Sequence, residues 1–376
     1  MNKSQQKPDL DDILYRCIQK VATGPGYSKS LSQEDARDAL ATILDDSADP
    51  VRAGLFLIAL RMKRESMDEN KGFLEALINT TNRVTAEVDS VIDISEPYNG
   101  YVRGLSVTAF LPALLAEMGE ATYSHGVESV GPKFGITHHK ILKSIGINVD
   151  ISVAEAATQL ANPDIAWAYI DQKVINPSLY NLVNLRERII KRSALTTTES
   201  LLKPISGRKE THKVCGYVHS EYPAIYAELA RFSGFDNATI VRGVEGGITP
   251  SLQQQGKFFG YLDKAEESLS ELDPKSIGID VKKRAIPLPD DLPEPSSSDN
   301  GVINADVASA AAAEAGLKAL KGQEGLAFDS LLYNASIILS HRKRFVNLVE
   351  AANAVTKVLK SGSVIERLKQ TGAKIS

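Results

Sequence analysis

Apolar positions in the first eighty residues recur every three or four places, the period of a helix that buries one stripe. Leu10, Ile13, Leu14, Cys17, Ile18 and Val21 form the first stripe, and Gly24-Pro25-Gly26 stops it. Ser32, with Asp35 three places on, reads as a capping box weaker than one closed by Glu or Gln, opening a helix to about Leu44. Pro50 stands where a first helical turn tolerates a missing N–H, so a third helix is predicted over Val51 to Lys63. A fourth is predicted over Gly72 to Val84. Each such helix buries a single face, so they must pack on one another or on a second chain.

The period changes at Val91. Val91-Ile92-Asp93-Ile94 reads as a short buried strand, followed by a Pro- and Gly-bearing loop, 96–104, and a helix over Leu105 to Met118 closed by Gly119. Ala121 to Ser124 is a second strand, and Ile136 to Ile145 a helix stopped by Gly146. Ser152 and Glu155 box the start of a helix to about Ala161. Strands at Lys213 to Val218 and Ala238 to Arg242 flank a helix over Pro223 to Phe232 that ends at Gly234. Strand alternating with helix predicts a largely parallel, helix-covered sheet. Pro287 to Asn300, rich in Pro, Ser and Asp, reads as a surface loop or a disordered insertion. The alanine-rich 307–313 reads as helix, and Phe328 to Gln370 as helical with a break at Gly362.

Composition narrows the class. A length of 376 residues exceeds one ordinary core and predicts two domains. With 43% hydrophobic and 24% charged residues the chain reads as soluble and globular. A net charge of -4 excludes a strongly basic polymer binder by overall charge, yet leaves a local basic patch open. The two cysteines, Cys17 and Cys215, are too few for a disulfide framework or a metal cage and read as reduced core thiols. Met1 to Asp12 holds no apolar leader run, and Ala53 to Leu60 is too short to span a bilayer, so a cytoplasmic location away from membranes is expected. His138-His139 point apart on a helix with no third ligand in view, and no metal is expected there.

Several segments, in order, carry a family resemblance: Phe56-Leu57-Ile58-Ala59-Leu60-Arg61-Met62-Lys63, Asp93-Ile94 before its loop, His125-Gly126, Ile145-Gly146-Ile147-Asn148-Val149-Asp150, and Leu331-Leu332-Tyr333-Asn334-Ala335. The chain resembles the anthranilate phosphoribosyltransferases and their pyrimidine-nucleoside phosphorylase relatives over nearly its whole length. The resemblance implies an α/β fold with a small N-terminal helical domain, 1–84 and helices from about 152–202, and a larger domain, 85–376, with a mainly parallel central sheet. It further implies a homodimer built through the helices and a ligand site in the cleft between domains.

The site motifs have been rewritten. A phosphoribosyl diphosphate needs close backbone N–H donors, cations and magnesium, and an anthranilate needs a cation for its carboxylate. The family's Gly-Thr-Gly-Gly-Asp loop falls at Glu96-Pro97-Tyr98-Asn99-Gly100, which adds a negative charge, removes a donor and blocks backbone approach. The family's Lys-His-Gly-Asn-Arg becomes Ser124-His125-Gly126-Val127-Glu128, without both cations. The magnesium-holding Asp-Glu pair falls near Ile248-Thr249, leaving only Glu245 within a small register slip. The Asn-Leu-Leu-Gly-Pro stretch becomes Thr196-Thr197-Thr198-Glu199-Ser200. Arg186 matches the arginine that meets the anthranilate carboxylate, and Lys133, Gly135 and Arg192 also have counterparts.

The reading is therefore a phosphoribosyltransferase-like chain with a degenerate diphosphate and magnesium site and no ordinary turnover. It would bind an anionic or aromatic small molecule through Tyr98, Asn99, Gly100, His125, Gly126, Lys133, Arg186 and Arg192. No cofactor is expected; magnesium enters only if the chain is instead a divergent active transferase. Plainer readings stand beside these: His125 as a turn cap, Asn99-Gly100 as a simple turn, Arg186 as one end of an ion pair with its helical neighbours. Pro97-Tyr98-Asn99-Gly100 with His125-Gly126 also resembles a non-biosynthetic, nucleic-acid-binding branch of dimers. Its candidate patch here is Lys203, Arg208, Lys209 and Lys213, with further basic runs at Lys282-Lys283-Arg284 and Arg342-Lys343-Arg344.

Overall fold

A computed structural model describes residues 10–295 and 300–375, and the chain divides into two compact units. The first unit takes residues up to Thr81 together with Asn176–Leu202. Its helices are α1 (Leu10–Val21), α2 (Gln33–Leu44), α3 (Pro50–Lys63) and α4 (Met67–Asn79). The Ser32 hydroxyl accepts from the Asp35 N–H, but the return half of the box is missing because the Asp35 carboxylate is held by Lys20 at 2.6 Å. A complete capping box at Ser66 and Glu69 starts α4 five residues ahead of the predicted Gly72. Short helical turns at Pro177–Tyr180, Val183–Arg188 and Leu195–Thr198 complete the unit.

The second unit takes Asn82–Ile175 and Lys203–Ser376. Its sheet holds seven strands, β1 (Ser90–Ser95), β2 (Thr122–Gly126), β3 (Trp167–Asp171), β4 (Glu210–Tyr217), β5 (Asn237–Arg242), β6 (Gly256–Tyr261) and β7 (Ser268–Leu272). They lie in the order β3-β2-β1-β4-β5-β6-β7, the first five mutually parallel and the last two joined antiparallel. Helices α5 (Leu111–Glu117), α6 (His138–Ser144), α7 (Val153–Ala161), α8 (Tyr222–Ser233), α9 (Ala305–Leu320), α10 (Leu326–His341), α11 (Leu348–Ser361) and α12 (Ser363–Lys369) accompany the sheet, with a helical turn at Gln172–Ile175 and a two-stranded parallel pair, Val84–Thr85 with Ile205–Ser206. Ile92, Ile94 and Val214 on one sheet face join Trp167, Tyr169, Phe110, Leu114, Leu331 and Ile338 in the main core. This is the α/β architecture with a separate helical domain that the strand–helix alternation predicts.

Some expectations need correction. α7 lies in the α/β unit, against β3, so only 176–202 returns to the helical unit, not everything from about 152. The predicted helix over Leu105 to Met118 begins late. The Leu105 N–H bonds the Ile286 carbonyl, and only a 3₁₀ turn at Thr108–Phe110 precedes α5. Residues 287–295 carry no helix or strand, yet Leu288 and Leu292 pack on the core, so that part is not a disordered insertion. The end of the stretch, 296–299, lies outside the described residues. Among the described residues no helix is long and apolar enough to cross a membrane.

Candidate functional site

β1 has β2 on one side and β4 on the other, so the direction of strand succession reverses there. In open α/β sheets that switch point, at the carboxyl ends of the strands, is where ligands bind. The loops 96–104, 127–137 and 243–249 all leave strands at this end. Registry decides which side chains meet below them. Asp93 pairs with Tyr123 on β2 and with Lys213 on β4, and Ser95 pairs with His125, so all these side chains share one face.

The result is a buried polar chain. The Lys213 ammonium donates to Asp93 Oδ1 at 2.6 Å, His125 Nε2 lies 2.9 Å from the same oxygen, and the Tyr123 hydroxyl donates to Oδ2 at 2.5 Å. An ionised carboxylate only accepts, so in the neutral imidazole Nε2 carries the proton that Asp93 takes. His125 Nδ1 is then left to accept from the Tyr98 hydroxyl, its close neighbour. Burial alone raises the Asp93 carboxyl, but Lys213 and His125 outweigh it and hold it well below the usual range.

Glu96, which the resemblance sets in place of a loop glycine, points inward. Its carboxylate accepts from the Tyr101 hydroxyl at 2.6 Å, the Thr108 hydroxyl at 2.6 Å and the Ile248 N–H at 3.1 Å. Burial pushes it up to about 7, although these three donors pull the other way. Gly247 is required beside it: a Cβ there would lie 1.5 Å from the Tyr101 oxygen and 2.5 Å from Glu96 Oε2. The Thr108 hydroxyl also meets His138 Nε2 at 3.0 Å, and burial lowers His138 to about 3. The cavity left among Glu96, Tyr98, Tyr101, His125 and His138 is about 10 Å³, the size of one water at most.

Two more charged groups are neutralised from within. In the helical unit Arg186 is buried, and both its terminal nitrogens hold the Glu199 carboxylate, at 2.6 and 2.8 Å. In the α/β unit Glu245 accepts from the successive N–H groups of Val102 and Arg103, at 3.2 and 2.7 Å, and from the Lys133 ammonium at 2.7 Å. Glu245 is thereby engaged away from Ile248-Thr249. Among the described residues no three His, Cys, Asp or Glu side chains gather as metal ligands.

The candidate site residues therefore separate. Tyr98, Asn99, Gly100, His125, Gly126 and Lys133 belong to the α/β unit, Arg186 and Arg192 to the helical unit. Tyr98 and His125 serve each other rather than an open pocket, and Lys133 serves Glu245. Gly100, at φ 75°, is a turn residue pressed on Gly135 and Ile136. Gly126 closes β2 in register with Asp171, and Arg192 is exposed. Asn99 is buried, and its side-chain amide finds no hydrogen-bond partner.

The expected basic patch does not form. Lys213 is buried on Asp93, and Lys203 is buried and donates to the Gly234 carbonyl at 2.5 Å. Arg208 and Lys209 are exposed but paired with Glu87 and Asp89. A different cluster does form. Arg103, Arg242, Lys257, Lys283 and Arg284 line a groove of about 1150 Å³ at the β5–β6–β7 edge. None of the five has a carboxylate within ion-pair reach among the described residues. Of the five, only Lys283 and Arg284 are neighbours in the sequence. The others are scattered over 150 residues and carry no local signal.

Comparison with known proteins supports the same fold. Residues 15–81 match the helical bundle domain of a glycosyl transferase family. An uncharacterized protein of Aquifex aeolicus is 27% identical over 272 residues, 72% of this chain and 80% of its own length. The anthranilate phosphoribosyltransferase of Acetivibrio thermocellus is 21% identical across 95% of both chains. Among solved structures, the anthranilate phosphoribosyltransferase of Thermus thermophilus superposes with a TM-score of 0.70 at 20% identity, covering 96% of this chain and 98% of its own. The Saccharomyces cerevisiae enzyme in complex with PRPP and Mg gives 0.74 at 16% identity, with 96% and 97% covered.

Proposed function

Starting from a chain that is a divergent member of the anthranilate phosphoribosyltransferase family, we propose that it no longer transfers phosphoribosyl groups and instead binds a phosphodiester polymer, nucleic acid, along the β5–β7 groove. The observation that carries this reading is a contrast in how charge is used. Three of the cations read as site or patch residues are held by internal carboxylates: Arg186 by Glu199, Lys133 by Glu245, Lys213 by Asp93. The cations of the groove are not. Unpaired Arg and Lys side chains along an open trough supply the counterion-releasing contacts that phosphate backbones need, whatever the net charge of the chain.

A small anionic or aromatic ligand at the switch point is the weaker reading, because a cavity of about 10 Å³ has no room for it. Its remaining support is the unpaired amide of Asn99. For assembly, Val51, Leu55 and Met62 form one exposed apolar stripe on α3, with Tyr15 exposed on the neighbouring α1, and we propose that a second copy covers them. The buried thiols Cys17 and Cys215 suit a reducing compartment, and we place the protein in the cytoplasm.

The test is fluorescence anisotropy of a labelled single-stranded oligonucleotide across a salt series. Five phosphate contacts predict a log–log slope of up to about −3.5. Absence of binding even at about 50 mM salt, where such contacts are strongest, removes the proposal.

A further inference from the structure

We propose that the backbone N–H groups of Val102 and Arg103, with the Lys133 ammonium, form an anion site for a phosphate group that Glu245 keeps shut as a built-in stand-in. Two successive N–H groups converging on one point make a concavity suited to an oxyanion, and a lysine completes it with charge. In this structure a carboxylate fills it. Glu245 Oε1 takes the Arg103 N–H at 2.7 Å and the Val102 N–H at 3.2 Å, while Oε2 takes Lys133 Nζ at 2.7 Å. A phosphate oxygen pair offers the same acceptors with similar spacing, so the carboxylate atoms mark where phosphate oxygens would sit.

Three features separate this from an ordinary buried ion pair. Glu245 has φ of 54°, a left-handed conformation that costs a non-glycine residue, between Gly243 and the Gly246-Gly247 pair. The plug therefore sits on a strained turn that a glycine would fit better. Lys133 Nζ is also anchored by the Gly100 carbonyl at 3.2 Å, so the cationic wall stays when the carboxylate leaves. Finally, Glu245 and Arg103 both line the 1150 Å³ groove, so an anion in solvent reaches the site by displacing one side chain. The inference concerns one phosphate and does not depend on polymer binding along the groove.

The probe is inorganic phosphate, followed by thermal melting and calorimetry. Glu245→Gly suits the positive φ and removes the plug. It should bind phosphate at least about tenfold tighter than the wild-type chain, as loss of a charged competitor for charge-assisted donors implies. Adding Lys133→Ala to that variant should abolish the gain. Glu245→Gln keeps a side chain in the turn but cannot serve two N–H groups and an ammonium as a carboxylate does. It should rank between the two, and circular dichroism shows that each variant is folded. Methyl phosphate and dimethyl phosphate then separate the sources: competition by the first alone marks a terminal phosphate, and competition by the second marks a backbone phosphodiester. Phosphate affinity unchanged in both Glu245 variants, or a gain that survives loss of Lys133, overturns the assignment.

Discussion

Arg186 and Glu199 face each other as a buried two-bond pair, 2.6 and 2.8 Å between their nitrogens and oxygens. Glu199 lies in the stretch 196–200 where the family's Asn-Leu-Leu-Gly-Pro has been replaced. The arginine that the resemblance would set on a substrate carboxylate thus meets a carboxylate supplied by the chain. Removing one partner leaves a buried charge alone. Glu199→Ala should therefore cost roughly 3–5 kcal/mol in urea unfolding, whereas Arg186→Met combined with Glu199→Leu should recover most of it. A cost below about 1 kcal/mol, typical of exposed pairs, would show that the pair is not buried as described.

Glu96 sets a pH dependence. Its folded value of about 7 lies above the ordinary 4.5, so the folded state holds a proton that the unfolded state has released. Stability should accordingly fall as pH rises from about 4.5 to 7 and stay low above that, by roughly 3 kcal/mol if the whole shift is expressed. Glu96→Gln keeps an acceptor for Tyr101 and Ile248 and should flatten this slope and raise stability at pH 8. Asp93 acts in the other direction. Its contribution is complete above the ordinary value of 3.8 and is lost only as pH falls below it toward the depressed folded value, so it adds no slope in the same window. Parallel slopes in wild type and variant, measured by denaturant unfolding from pH 5 to 8, would refute the assignment to Glu96.

In the groove, Arg242→Glu and Lys283→Glu should each weaken oligonucleotide binding to a similar degree across sequences. Each should also reduce the salt slope by about one, since a contact with phosphate carries no base information. Lys209→Glu, on an exposed and already paired side chain, should leave binding unchanged. If Lys209→Glu were the damaging change, the patch read from the sequence would be the true one.

The helical unit offers a direct assembly test. Leu55→Glu with Met62→Glu places charge on the exposed stripe of α3 without touching its buried side. Sedimentation should then report a dimer for the wild-type chain and a monomer for the variant. A wild-type monomer at micromolar concentration would remove the proposed second copy.

How far the sequence reached depends on whether a feature is local. Capping at Ser152, the Pro50 helix start and the stop at Gly234 are decided within a few residues and could be placed closely. The strands β3, β6 and β7 could not. Gly256–Tyr261 mixes glycine and lysine with aromatics, and Ser268–Leu272 is an edge strand with most of its side chains in solvent. The rewritten loops were visible as changes at 96–100, 124–128 and 196–200, but the sequence does not show where a new carboxylate points. Glu96 reads as an added repulsive charge and proves to be a buried acceptor. Lys213 reads as part of a basic surface, yet strand registry alone sets it on Asp93. Pairings across 120 residues, like the groove that gathers Arg103 with Arg284, exist only once the sheet is assembled.

We propose that internal carboxylates and the small cavity beside Glu96 leave no seat for a sugar diphosphate at the switch point. Calorimetric titration with phosphoribosyl diphosphate, with and without magnesium, tests it most directly. The account predicts no magnesium-dependent heat of binding at any accessible concentration. Tight binding that requires magnesium would contradict it.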